Sequence, residues 1–141
     1  MTRVSLIGAG RMGGPMAQRL LGGGHALTVC DPAPAAVTHL AELGAEHAPD
    51  PRRAAARSEV TITCLPTPAI VEEAVLGDDG VLAGASGGSV LIDMSTSLPS
   101  LARRLAAVGA QRGVDVLDAP VTGGPRGATR RRSARRPSGR R

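Results

Sequence analysis

The sequence predicts an α/β domain built on a doubly wound parallel sheet, and three observations predict it. Short runs of Val, Ile and Leu recur along the chain, nearly continuous rather than alternating, as strands buried on both faces require. Segments of helical period separate them. With no Phe, Tyr or Trp among 141 residues, the core must be filled by Val, Leu, Ile, Ala and Met, which suits Ala-rich helices lying on a parallel sheet. The length is that of one domain.

The first strand is expected at Val4–Ile7, stopping at Gly8. Behind it Met12, Met16 and Leu20 recur every fourth residue until Gly22-Gly23-Gly24 ends the helix. A second strand follows at Leu27–Cys30, then a helix marked by Val37, Leu40 and Leu43, with Gly44 as its stop. Glu46–Ala48 is a weaker strand and Val60–Leu65 a stronger one. Ile70, Val71, Ala74 and Val75 form the next helical stripe, ended by Gly77. Val90–Ile92 is a strand, and Leu98, Leu101, Leu105 and Val108 mark a helix with Ser97 as its cap and Pro99 in its first turn. Arg103, Arg104 and Arg112 lie off that stripe, towards solvent. Val114–Leu117 closes the series.

Right-handed crossovers leave few topologies. In the order 3-2-1-4-5-6 the strands carrying Cys30 and Cys64 are two spacings apart, roughly 10 Å, too far for a disulfide. Both cysteines read as buried, reduced thiols, and no Cys or His spacing suggests a metal site. No apolar run reaches the length of a membrane span, and the N-terminal apolar stretch is too short for a signal peptide, so a cytoplasmic location is the expectation.

Charge divides the chain. Residues 1–125 carry 9 Arg against 12 acids, whereas residues 126–141 carry 8 Arg and no acid. All 17 basic residues are Arg, so no mechanism that needs a lysine of this chain is open to it.

Gly8-Ala9-Gly10-Arg11-Met12-Gly13 is a G-x-G-x-x-G. A bare match means little in a chain with 19 glycines, but this one follows a strand and opens a helix. Gly8 then permits the tight turn, Gly10 admits a pyrophosphate to the backbone, and Gly13 lets helix and strand pack closely. Asp31, 18 residues after Gly13, ends the second strand, where a carboxylate can accept from both adenosine ribose hydroxyls and repel a 2′-phosphate. Pro32 follows where an NADP site often places Arg, so NAD is favoured, with NADP possible. The later strand ends, Leu65-Pro66-Thr67, Met94-Ser95-Thr96 and Ala119 to Gly124, reach the same side of a parallel sheet and form a candidate rim or simple loops.

Together these features describe a Rossmann-type domain. The opening Val4 to Ala17, the Gly24-His25 pair, Cys64-Leu65-Pro66, Leu91-Ile92-Asp93-Met94-Ser95-Thr96 and Asp118-Ala119-Pro120-Val121-Thr122-Gly123-Gly124 resemble the β-hydroxyacid dehydrogenase family, which spans 3-hydroxyisobutyrate and 6-phosphogluconate dehydrogenases. Thr122 stands where that family usually has Ser. The resemblance covers residues 3–125. It implies cofactor contacts at Gly8, Gly10, Arg11, Met12, Gly13, Asp31, Leu65, Pro66 and Thr96, and substrate-carboxylate contacts at Thr122, Gly123 and Gly124. It also implies hydride transfer between a nicotinamide and a small 3-hydroxy acid, with a lysine as general acid/base and a nearby asparagine, both from later helices.

After Gly124-Pro125 the chain departs from that pattern. Residues 126–141 have no apolar period and cannot bury a face, so two regions are expected: a nucleotide-binding domain over 1–125 and a disordered Arg-rich tail over 126–141. Three accounts of the tail compete: a frame change or truncation in a GC-rich coding sequence, a solvated tail without a role, and an arm binding nucleic acid through phosphates. The expectation is a truncated dehydrogenase fragment, inactive alone, exposing apolar surface and a bare sheet edge, with its oligomeric state open. The alternative is a nucleic-acid-binding module acting through the tail.

Overall fold

The computed structural model describes residues 1–10, 12–95 and 98–119. The strands β1 (Arg3–Ile7), β2 (Ala26–Cys30), β3 (Glu46–His47), β4 (Val60–Thr63), β5 (Val90–Asp93) and β6 (Asp115–Asp118) form one sheet in the order β3-β2-β1-β4-β5-β6. Every pairing is parallel. This is the doubly wound order expected, and since β1 separates β2 from β4, Cys30 and Cys64 are both free thiols. The Arg-rich region 126–141 lies outside the described residues.

Among the described residues six helices cover the sheet: α1 (Gly13–Gly22), α2 (Pro34–Glu42), α3 (Pro51–Ala56), α4 (Pro68–Leu76), α5 (Val81–Gly84) and α6 (Pro99–Gln111). Val4 and Leu6 of β1 join Leu27, Val29 and Ile62 against Ala17 of α1 and Leu40 of α2. Ile7, Cys30 and Leu91 meet the other four helices through Ala54, Ala55, Val71, Val75, Val81, Leu82, Leu101 and Leu105. From Val4 on, both faces of β1 are therefore buried, which is why the strand beyond the exposed Arg3 is apolar but for Ser5. Towards β6 cover thins on the face of α1 and α2: Ile92 is half-buried and Leu117, opposite it, is 53% exposed. Among the described residues no helix is long and apolar enough to cross a membrane.

Two helices were not expected. α3 has no Leu or Val stripe, yet Asp50 caps it by accepting from the Arg53 N–H at 2.8 Å, and Pro51 opens it with a preset φ. Its Ala54 and Ala55 are buried against the sheet. α5 is a single turn, pressed so close that a Cβ on Gly84 would stand 2.0 Å from the Arg52 carbonyl oxygen.

Three expected helix faces shift. In α1 the buried positions are Gly13 and Ala17, one place beyond the Met12/Met16 stripe, because the helix start lies too close to β1 for a long side chain. In α4, Val71 and Val75 take the core, and Ile70, one position round, is 44% exposed. The cap of α6 is Leu98, not Ser97. Pro99 bars the residue before it from the helical region, so Leu98 is extended at ψ 140, 57% exposed, and outside the stripe.

The core also sets an alkaline limit. Burial, and then the Asp50 and Asp31 carboxylates, push the Cys30 thiol up from 9.0 to about 11. The folded state thus keeps a proton that the unfolded chain releases, so stability is whole below pH 9 and falls as pH rises through about 11. With no Lys and no Tyr, only the two thiols titrate among side chains in that range. Denaturant midpoints followed across the window are expected to decline, and Cys30→Ala to make the decline shallower. An unchanged limb in the variant would place the loss elsewhere.

Candidate functional site

β1 ends at Ile7 and α1 begins at Gly13, and the turn between them is built on backbone contact. Gly8 sits at φ +98 and donates its N–H to the Cys30 carbonyl at 2.9 Å. A Cβ there would stand 2.2 Å from the Cys64 carbonyl oxygen, and one on Gly13 would stand 2.0 Å from that of Gly8. Gly10 differs: a Cβ added to it meets nothing within 4 Å. The space beside it belongs to a cleft of about 460 Å³ lined also by Gly8, Met12 and Gly13. Met12 stands at the N-cap of α1 without a side-chain capping bond, so the positive end of the helix opens on the cleft at Met12 and Gly13, while the Gly14 N–H is donated to the Gly10 carbonyl and Pro15 has none.

Asp31 leaves β2 at one wall of this cleft. Its Oδ2 accepts from the Ala9 N–H at 2.7 Å and its Oδ1 from the Ala33 N–H at 2.7 Å. The carboxylate therefore ties the glycine turn to the start of α2, a second task that sequence spacing does not reveal.

Leu65 and Pro66 form the opposite wall, beyond the end of β4. A buried polar chain lies behind them. Thr63 Oγ1 donates to Asp93 Oδ1 at 2.9 Å, the Ser95 N–H donates to the same oxygen at 3.0 Å, and the Leu65 N–H donates to Ser95 Oγ at 2.8 Å. The Ala119 N–H donates to the Asp93 carbonyl at 2.9 Å, so the chain leaves β6 at the same carboxyl edge. Cys64 is half-buried and lines the cleft, correcting its expected place in the core. Burial, then Asp93, pushes its thiol up.

Of the residues expected to hold a cofactor, Gly8, Gly10, Met12, Gly13, Asp31, Leu65 and Pro66 line this single cleft. Arg11, Thr96, Thr122, Gly123 and Gly124 lie outside the described residues. Sequence reasoning missed Pro32, Cys64 and Ile70 as lining residues. Ile70 was the legible one, since an apolar residue one step off the Val71/Val75 stripe must face another surface. Among the described residues no group of three His, Cys, Asp or Glu could hold a metal ion.

A family profile described as the NAD binding domain of 6-phosphogluconate dehydrogenase matches residues 3–140. A 3-hydroxyisobutyrate dehydrogenase of Pseudomonas aeruginosa is 46% identical over 128 residues, 91% of this chain and 43% of the relative. The solved 3-hydroxyisobutyrate dehydrogenase of Mycobacterium tuberculosis, with L-serine, superposes with a TM-score of 0.83 at 38% identity, over 92% of this chain and 43% of that one. An imine reductase of Myxococcus stipitatus is solved as a variant with NAD+ and also with NADP+. The NAD+ complex gives a TM-score of 0.81 at 28% identity, over 89% of this chain and 43% of that one. The chain thus spans less than half the length of the relatives it matches.

The three glycines separate by experiment. Gly13→Ala forces a carbon onto backbone and is expected to destabilise the fold by about 1–3 kcal/mol in denaturant melts. Gly10→Ala, facing open space at an ordinary φ, is expected to leave the midpoint within about 0.5 kcal/mol of wild type. Equal losses at both positions would contradict the turn described above.

Proposed function

The chain belongs to the family of the NAD-binding domain of 6-phosphogluconate dehydrogenase, and from that premise we propose that its cleft holds the dinucleotide of an oxidoreductase acting on a small 3-hydroxy acid. The observation that carries this reading is the empty space beside Gly10, at the start of α1 and next to Asp31. Backbone N–H groups at a helix start suit a pyrophosphate, and no side chain of Gly10 blocks the approach.

Each Asp31 oxygen keeps a lone pair after its backbone bond, enough to accept from ribose hydroxyls. Its charge opposes a 2′-phosphate, and Pro32 brings no guanidinium to offset it, which favours NAD over NADP. Met12 borders the phosphates in this reading, with Arg11 assigned to the same set from the family motif, and Leu65 and Pro66 supply an apolar wall on the β4 side. Thr96 completes the proposed cofactor set. Thr122, Gly123 and Gly124 receive the substrate carboxylate through a hydroxyl and backbone N–H groups; the exit of β6 at the carboxyl edge supports that role.

When bound, a nicotinamide supplies or takes the hydride. The resemblance assigns the proton that must move with it to a lysine, and the chain contains none. By itself the chain therefore binds dinucleotide without turning substrate over, and catalysis needs groups from the larger part of the relatives' length.

Without aromatic residues the chain adds no emission of its own, so NADH fluorescence reports binding directly. Saturable NADH binding, weaker for NADPH, is expected. Asp31→Ala should weaken NADH by about tenfold or more, the scale of a bond to a charged group, and narrow the gap to NADPH. No binding of either nucleotide would sink the proposal. Assays with NAD and 3-hydroxyisobutyrate or L-serine are expected to stay at the buffer rate, and turnover above it would overturn the inactivity.

A further inference from the structure

Besides Thr28, two hydrogen-bonded sets of buried hydroxyls interrupt the apolar sheet among the described residues. Ser5 and Thr61 pair across β1 and β4 at 2.9 Å, in mid-sheet and away from the cleft. The second set stands at the carboxyl edge. Thr63 and Asp93 face each other across β4 and β5, and both are buried, as is Ser95. A carboxylate as enclosed as Asp93 needs hydrogen-bond partners, and Thr63 and the Ser95 N–H provide them. The bond to the Ser95 N–H reaches back within one segment, from residue 95 to residue 93. It holds the Ser95 hydroxyl towards β4.

There Ser95 Oγ accepts from the Leu65 N–H, two residues past the last ladder residue of β4. The Ser95 hydroxyl thus prolongs the coupling of β4 to β5 beyond the strands. Leu65 is in turn packed on the glycine turn: its Cδ2 stands 3.0 Å from where a Cβ of Gly8 would lie. Asp31, on the β2 side, marks the adenosine half of a dinucleotide, so the second nucleotide of a molecule crossing the α1 N-terminus lies on the β4 and β5 side, against Leu65.

We propose that Ser95, oriented by Asp93 and Thr63, is a positioning residue that fixes the Leu65–Pro66 wall and so sets affinity for the nicotinamide half of the cofactor, not the adenosine half. The proposal rests on the dinucleotide reading above. ADP-ribose, which keeps the adenosine and pyrophosphate and lacks the nicotinamide, separates the two halves.

The test is the ratio of NADH to ADP-ribose affinity in the 141-residue chain, with ADP-ribose read by calorimetry. Ser95→Ala is expected to weaken NADH about threefold to tenfold, the loss of roughly one hydrogen bond, and to leave ADP-ribose within about twofold. Thr63→Val, which loosens Asp93, should move the ratio the same way and carries the test if Ser95→Ala is too unstable to titrate. Thr61→Val, which breaks the other hydroxyl pair, is expected to lower the melting midpoint without moving the ratio. Equal weakening of both ligands by Ser95→Ala, or a ratio that also moves in Thr61→Val, would overturn the positioning role. Wild-type chain that binds neither ligand would overturn the dinucleotide reading itself.

Discussion

The contact on which the rest depends is the approach of α1 to the end of β1. The helix starts so close to the strand that Gly13 has no room for a side chain beside the Gly8 carbonyl oxygen. That closeness puts the start of α1, at Met12 and Gly13, in the lining of the cleft. It also explains why α1 buries Gly13 and Ala17 while its longer apolar residues are only partly covered. Close packing and the opening of the helix start onto the cleft are two results of one steric fact.

Small residues extend the same logic across the molecule. With no aromatic side chain available, the helix–sheet distance at α3 is closed by Ala54 and Ala55, and the approach of α5 to α3 by Gly84, instead of being filled by rings. Interiors must be packed densely, so small side chains demand close backbones, and close backbones tolerate only small side chains. The hydroxyls of Ser5, Thr61, Thr63 and Ser95 and the Asp93 carboxylate fit into this interior because each meets a partner on a neighbouring strand or turn. Among the described residues no buried side-chain nitrogen or oxygen lacks one.

Much of this was legible in the residues. The continuous runs at Val4–Ile7 and Leu27–Cys30 read as strands covered on both sides, and the chirality of crossovers left few sheet orders, among them the one found. The glycine turn, Asp31, Leu65 and Pro66 were found because each has a local signature at a strand end. What escaped had either no period or no local signal. α3 and α5 are too short for a stripe to show. The bonds from Asp31 to the glycine turn and from Ser95 to Leu65 join residues 22 and 30 apart in sequence, and only the folded chain brings them together. Ile70 and Leu98 were assigned to helix cores because periodicity reports a face without its edges.

The Ala119 bond to Asp93 bears on how such a molecule diversifies. It holds Ala119 at the carboxyl edge of the sheet, the edge at which β1, β2 and β4 hand over to the residues that line the cleft. New recognition elements can thus be grafted on downstream without rebuilding the upstream scaffold. Dehydrogenases and imine reductases sharing this half are the outcome such an attachment point allows.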